Sequence, residues 1–113
     1  MGQNSTTLHE PAATLSPLVI DRHRAIASLM EELEAVDWYD QRVAACSDEE
    51  LKRILAHNRD EEKEHACMVL EWLRRNDPVF DRHMRRFLFT EGPIAGREEK
   101  PGAASPAADA LFC

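Results

Sequence analysis

The sequence has 113 residues, of which 43% are hydrophobic and 31% charged, and its net charge is −7 at pH 7. This acidic balance argues against nucleic acid or an anionic membrane as a partner and is compatible with cation binding. No run approaches the roughly 18 apolar residues of a membrane span, no secretory apolar segment is found, and three cysteines form no disulfide or metal-binding pattern. We expect one soluble domain of the reducing cytoplasm.

The first helix is predicted to follow a flexible polar leader, residues 1–13. Ser16-Pro17 is typical of a helix start, with serine as the N-cap and proline in the first turn. No Gly or Pro intervenes up to Ala45, which predicts a helix of about 28 residues and about 42 Å. Its apolar stripe is expected to hold Ala25, Leu29, Glu32, Val36, Tyr39 and Val43, widened by Ile26, Met30 and Leu33.

The second helix is predicted to begin at a capping box formed by Ser47 and Glu50 and to end near Arg75. Asp77-Pro78 starts a shorter third helix, which Gly92-Pro93 ends. Its apolar side is expected to comprise Phe80, Met84, Phe87 and Leu88. The helical domain is therefore placed at residues 14–94, and the Ala-, Gly- and Pro-rich tail, residues 95–113, is expected to be disordered.

The predicted fold class is all-α. The short connection around Cys46 makes the two long helices an antiparallel hairpin. Two helices cannot cover each other's apolar stripes, and a third short helix covers only part of them. We therefore expect homodimerisation into a ferritin-like four-helix arrangement.

Glu62 and His65 form a Glu-x-x-His unit in the second helix. Residues three apart on a helix lie about 60° apart around the axis and about 4.5 Å along it, so both side chains can reach one metal ion. They also interrupt an apolar stripe that contains Leu51, Leu55, Asn58, Val69 and Trp72. An ionised carboxylate buried without a partner costs several kcal/mol, which makes a bound cation the natural compensation.

Glu32 is the corresponding carboxylate in the stripe of the first helix. Di-iron sites in helical bundles take a Glu from each of two helices and Glu-x-x-His from each of the other two, so this chain carries half of such a site. A two-fold dimer would supply four carboxylates and two imidazoles, whose charge balances that of two divalent ions. Oxygen ligands with imidazole suit Fe(II), Mn(II) or Zn(II), and redox chemistry with oxygen would select iron.

Two other interpretations of the same residues stay open from the pattern alone. The protein could bind or carry iron without turning it over, using the same three ligands. It could instead be a structural helical interaction module in which His65 is an ordinary core histidine and removing Glu32 or Glu62 stabilises the fold.

Four blocks of the sequence resemble the encapsulated ferritin family, and the similarity covers about residues 8–94. The blocks are residues 31–39 (EELEAVDWY), 57–65 (HNRDEEKEH), 70–75 (LEWLRR) and 87–93 (FLFTEGP). Several long blocks in register make the resemblance much more specific than a single Glu-x-x-His.

The resemblance implies a ferroxidase that oxidises Fe(II) with oxygen at a di-iron centre between two subunits, in a ring-shaped decamer of five dimers. By position, Glu32, Glu62 and His65 would be both catalytic residues and iron ligands, with Glu62 bridging. It further implies that Trp38 and Tyr39 lie close to the centre and that Glu31 and Glu34 form an acidic site where metal ions enter.

The resemblance also implies a location inside an encapsulin nanocompartment, whose shell stores the oxidised iron. Members usually end in a docking peptide with apolar residues around Gly-Ser-Leu. Residues 107–113 (AADALFC) do not match that pattern.

Overall fold

The structure is a computed structural model that describes residues 5–98. Within that range the regular elements are a short 3-10 helix, Ala12–Thr14, and three α-helices: α1 (Pro17–Ala45), α2 (Glu49–Arg75) and α3 (Pro78–Phe87). The predicted all-α class with two long helices and a short third one is confirmed. The chain divides into two compact units, one ending at Trp72 and the other beginning at Leu73.

Helix α1 starts as the sequence predicts. The Ser16 hydroxyl accepts a hydrogen bond from the Val19 amide at 3.2 Å, and Pro17 occupies the first turn. This bond satisfies one of the amides that the first turn of a helix leaves unpaired. The helix ends where Cys46 adopts an extended conformation.

Helix α2 begins one residue later than a Ser47 cap requires, so the predicted capping box is wrong. The Leu51 amide donates to the Asp48 carboxylate at 2.8 Å, which makes Asp48 the N-cap. Its negative charge, followed by Glu49 and Glu50 in the first turn, also suits the positive end of the helix dipole. Arg74 and Arg75 occupy the last turn, as predicted.

Helix α3 begins as predicted but ends earlier. The Asp77 carboxylate accepts hydrogen bonds from the Val79 and Phe80 amides, both at 3.1 Å. The last helical residue is Phe87, because Leu88 is extended and Phe89 has a φ of 57°, a left-handed conformation that bulky side chains disfavour. Gly92-Pro93 therefore lies beyond the helix end and does not cause it.

The first unit contains the predicted antiparallel hairpin. Residues 46–48 connect α1 to α2, and the Arg59 guanidinium of α2 donates to the Asp40 carboxylate of α1 at 3.0 Å. Helix α1 contains no buried residue, and the buried hydrophobic residues of the described chain are Ala66 and Leu73. The hairpin therefore has almost no core of its own.

Large apolar side chains of both long helices are exposed. On α1, Leu33 is 54% exposed, and Ile26 and Met30 are also open to solvent. On α2 the exposed side chains are Leu51, Ile54, Met68 and Trp72. Such a surface is unusual for a chain that stays single.

The predicted division into leader 1–13, domain 14–94 and tail 95–113 stays a prediction. Residues 5–11 are turn and irregular structure before the 3-10 helix. Residues 1–4 and 99–113, which include most of the predicted tail and its unmatched terminus, lie outside the described residues. Within residues 5–98, no helix is both long and apolar enough to cross a membrane.

Asp81 links the last turn of α2 to α3 in the second unit. Its carboxylate accepts hydrogen bonds from Arg74 and, at 3.0 Å, from Arg85. The hydrogen bond from Arg74, followed by that from Arg85, holds the pKa of Asp81 below its ordinary value of 3.8. The contribution of Asp81 to stability is therefore present above pH 3.8 and is lost as the pH falls through the lowered pKa.

We expect Asp81→Asn to lower the urea unfolding midpoint near neutral pH, because it removes the charged partner of two arginines. The difference from the wild type should shrink as the pH falls through the lowered pKa of Asp81, since the wild-type carboxylate is then neutral as well. Asp21→Asn, which removes an exposed pair with Arg24 within α1, is the control. A difference that stayed constant down to acid pH would contradict the assignment.

Candidate metal centre

Glu32, Glu62 and His65 come together in the first unit. One potential ligand atom from each of the three lies within 4.8 Å of the others. The His65 Nδ1 is 3.6 Å from the Glu32 Oε2 and 3.6 Å from the Glu62 Oε2. These are the three residues that the sequence predicts as ligands.

The two long helices position the three side chains. Glu62 and His65 lie one turn apart on α2 and extend from the same side, as their spacing requires. Glu32 lies near the middle of α1, which the hairpin places against this part of α2. The cluster therefore depends on the register between two antiparallel helices, which no local motif specifies.

The donor atoms fit a metal ion better than they fit each other. At 3.6 Å the imidazole is too far from both carboxylates for a normal hydrogen bond. The Glu32 Oε2 is buried and has no hydrogen-bond partner. A buried carboxylate oxygen without a partner is unfavourable, and a cation bound by all three side chains would satisfy it. Carboxylate oxygen with imidazole nitrogen is a ligand set that suits Fe(II), Mn(II) or Zn(II).

The cluster is open on one side. The side chains of His65, Glu62 and Glu32 are 44%, 27% and 23% exposed. Three protein ligands also leave coordination positions of a metal ion unfilled. The exposed apolar side chains Met30 and Leu33 lie within one turn of Glu32 in the sequence of α1. A second copy that covered this surface could complete the cluster.

Glu31 and Glu34 are exposed and do not join the three-residue cluster. They line a surface cavity of about 370 Å³ together with Ser5, Thr6 and Met30. The cavity shows that the two carboxylates lie near each other on α1, next to the start of the described chain. Their role in admitting metal ions stays a prediction.

Trp38 and Tyr39 also lie on α1. Trp38 is exposed and Tyr39 is half-buried. The Arg42 guanidinium lies 5.2 Å from the centre of the Tyr39 ring, a cation–π distance. Their predicted place beside the metal ions stays a prediction.

No sequence pattern predicts a role for Arg59. Its guanidinium binds two carboxylates, that of Asp40 on α1 at 3.0 Å and that of Asp60 at 3.1 Å. The hydrogen bond from Arg59 is the main reason that the pKa of Asp60 lies below its ordinary value. The one available signal was a lone arginine before a run of acidic residues, and it does not identify a partner on another helix.

A family model described as EncFtn-like matches residues 7–91. An encapsulated ferritin-like protein from Rhodospirillum rubrum is 64% identical over 98 residues, which are 87% of this chain and 70% of that protein. A ferritin-like protein from Thermotoga maritima is 53% identical over 97 residues, 86% of this chain and 85% of its own length.

Two further similarities extend the comparison. An encapsulin nanocompartment cargo protein from Myxococcus xanthus is 36% identical over 86 residues, 69% of this chain and 66% of that protein. A crystal structure of a protein from Nitrosomonas europaea superposes with a TM-score of 0.76 at 65% identity, covering 78% of this chain and 97% of that chain.

We expect Glu32→Gln to stabilise the metal-free protein by about 1 kcal/mol, because an amide can donate a hydrogen bond where two carboxylates now face each other. Chemical unfolding in the presence of a chelator measures the difference. Glu31→Gln, an exposed neighbour on the same helix, should leave the free energy of unfolding unchanged. If Glu32→Gln left the free energy of unfolding unchanged or lowered it, the buried Glu32 oxygen would not be destabilising in the metal-free protein.

Proposed function

The chain belongs to the EncFtn-like family, and from that premise we propose that it is a ferroxidase, oxidising Fe(II) to Fe(III) with oxygen at a di-iron site completed by two copies of the chain. The observation that carries the proposal is the convergence of Glu32, Glu62 and His65 around a buried carboxylate oxygen that has no partner. Fe(II) is the substrate, and the three side chains bind it.

Charge balance favours two ions for each pair of chains. Two copies bring four carboxylates and two imidazoles, and two Fe(II) ions offset the four negative charges of the carboxylates. Without metal the carboxylates repel one another, which disfavours close association of the two copies. Metal binding and assembly are therefore coupled in this proposal, because each half-site gains ligands only on pairing.

The exposed apolar surface supports pairing independently of the ligands. Helix α1 buries none of its residues within the single chain, although its apolar stripe follows the predicted helical spacing. Covering Leu33, Met30 and Ile26 with a second hairpin would remove that surface from water and produce a four-helix arrangement. The same contact would bring two copies of Glu32 together.

The side chains have separable tasks in the reaction. Glu32 and His65 hold an Fe(II) ion from opposite helices, and Glu62 lies beside both and could bridge two ions. Two Fe(II) ions would give up one electron each to one O2 molecule, which takes up two protons to become hydrogen peroxide, and the metal ions supply this redox chemistry. The protein contributes ligand geometry, and the covered apolar surface would limit access of water to the ions.

We place the product in an encapsulin shell, where Fe(III) would be stored, with the ferroxidase assembled as a decameric ring. The names of the relatives from Rhodospirillum rubrum and Myxococcus xanthus support encapsulation. Residues 107–113, which do not match the docking pattern of the family, lie outside the described residues, so the proposal for the shell partner rests on the family.

We expect Glu62→Gln to reduce the rate of Fe(II) oxidation in air by at least about tenfold, because the change removes an anionic ligand and keeps the shape of the side chain. Fe(III) absorbance against a buffer blank measures the rate. Glu64→Gln, an exposed neighbour, should retain the wild-type rate. If the wild type bound Fe(II) but oxidised it no faster than buffer, the result would favour an iron carrier. If Glu62→Gln contained as much iron as the wild type, the result would favour a structural module.

We expect Leu33→Lys to impair both the pairing of two chains and the oxidation of Fe(II), although all three ligands remain. The reason is that a charged side chain replaces an exposed apolar one beside Glu32. Light scattering under anaerobic conditions, with and without Fe(II), gives the mass. Wild-type mass should rise with Fe(II), and that of Leu33→Lys should rise less. Gln41→Lys, an added charge at an exposed polar position of α1, is the control. Full activity of Leu33→Lys as a single chain would contradict a shared site.

A further inference from the structure

We infer that Arg59 is a positioning residue: its ion pair with Asp40 fixes the register between α1 and α2 that brings Glu32 to Glu62 and His65 before metal binds. The inference rests on the proposed function, since it concerns the same three ligands. Arg59 does not touch the ligand atoms, and because it is positively charged it does not bind a metal cation.

The contacts of Arg59 fix the orientation of its side chain. Its Nη1 donates to Asp40 on α1 at 3.0 Å, and its Nε donates to Asp60 on α2 at 3.1 Å. A planar guanidinium that uses two different nitrogens has its direction fixed, unlike a lysine ammonium. The Arg59 side chain is only 22% exposed, against 54% for that of Asp40, so the tie is partly shielded from solvent.

The position of the pair relates it to the metal ligands. Arg59 precedes Glu62 by three residues on α2, and Asp40 follows Glu32 by eight on α1. Because the helices are antiparallel, both steps lead from the cluster toward the connection between the helices. A slip of α2 by one turn, about 5.4 Å, would break the Arg59–Asp40 pair and also separate Glu32 from His65.

The small number of buried residues explains why an ion pair between the two helices matters here. Helix α1 buries no residue, and Ala66 is the buried hydrophobic residue of the first unit within the described range. Apolar interdigitation, which usually fixes the register of two helices, is therefore weak in the single chain. An exposed ion pair contributes little in most proteins, but it can decide between registers that packing barely distinguishes.

Two variants of equal charge separate positioning from electrostatics. Asp40→Asn and Asp37→Asn each remove one negative charge from α1 on the C-terminal side of Glu32. Only Asp40 accepts a hydrogen bond from α2, whereas Asp37 accepts one from Gln41 of its own helix. Anaerobic titration of the full chain with Fe(II), at one protein concentration, measures the affinity. We expect Asp40→Asn to weaken binding about fivefold and Asp37→Asn by less than about twofold. Equal effects of the two would overturn the inference.

Arg59→Gln tests the sign of the effect. If the arginine acted only through its charge, its removal would strengthen cation binding; positioning predicts weaker binding, again about fivefold. Arg59→Lys, which keeps the charge and loses the two-nitrogen contact, should also bind more weakly than wild type. Tighter binding by Arg59→Gln would overturn the inference.

Two more arms keep the result interpretable. Asp40→Glu retains a carboxylate and should bind like wild type, which excludes a general loss of folding as the cause; binding as weak as in Asp40→Asn would count against the tie. Glu62→Gln should lose Fe(II) binding in the same titration. If it does not, the proposed metal site itself fails. Equal effects of Asp40→Asn and Asp37→Asn with a sensitive Glu62→Gln would refute only the role of Arg59.

Discussion

Two carboxylates and an imidazole meet between α1 and α2 at a point where helical spacing would place apolar side chains. Their contacts with each other are too long to satisfy them, and one Glu32 oxygen is buried without a partner. In a chain with few buried residues, such a cluster lowers stability rather than raising it. The simplest explanation for its place between the two helices is the cation that the proposed function requires.

The incomplete core and the incomplete ligand set have one common solution. The hairpin leaves Leu33 and neighbouring apolar side chains open to solvent, and the cluster itself is open on one side. In the proposed dimer a second hairpin covers both. Iron binding and assembly are then linked without a separate regulatory device. The metal offsets the repulsion between carboxylates, and the apolar contact brings in the second copy, which supplies the missing ligands.

Much of this could be predicted from the sequence, because it depends on local patterns. The stripe of α1, the Ser16 and Asp77 caps and the Glu-x-x-His spacing all follow from helical periodicity and side-chain chemistry. The errors were also local. Asp48 replaced Ser47 as the cap because both side chains can accept the same kind of hydrogen bond, and α3 ended at Phe87 because of the left-handed conformation of Phe89.

The register between the helices could not be predicted from the sequence. The place of Glu32 in an apolar stripe predicted it as the partner of Glu62 and His65. The Arg59–Asp40 pair was not predicted, because no local pattern relates residues 19 positions apart. The proposed shared site is a further step, because it would depend on a second copy of the chain.

The central claim is that a single chain holds an incomplete iron site and that two copies complete it. Anomalous diffraction at the iron edge, from crystals grown with Fe(II) without oxygen, tests it directly. The account predicts two iron peaks about 3.5–4 Å apart across a two-fold axis, with Glu32, Glu62 and His65 of both copies around them. Iron bound by one chain alone, or located away from these residues, would contradict it.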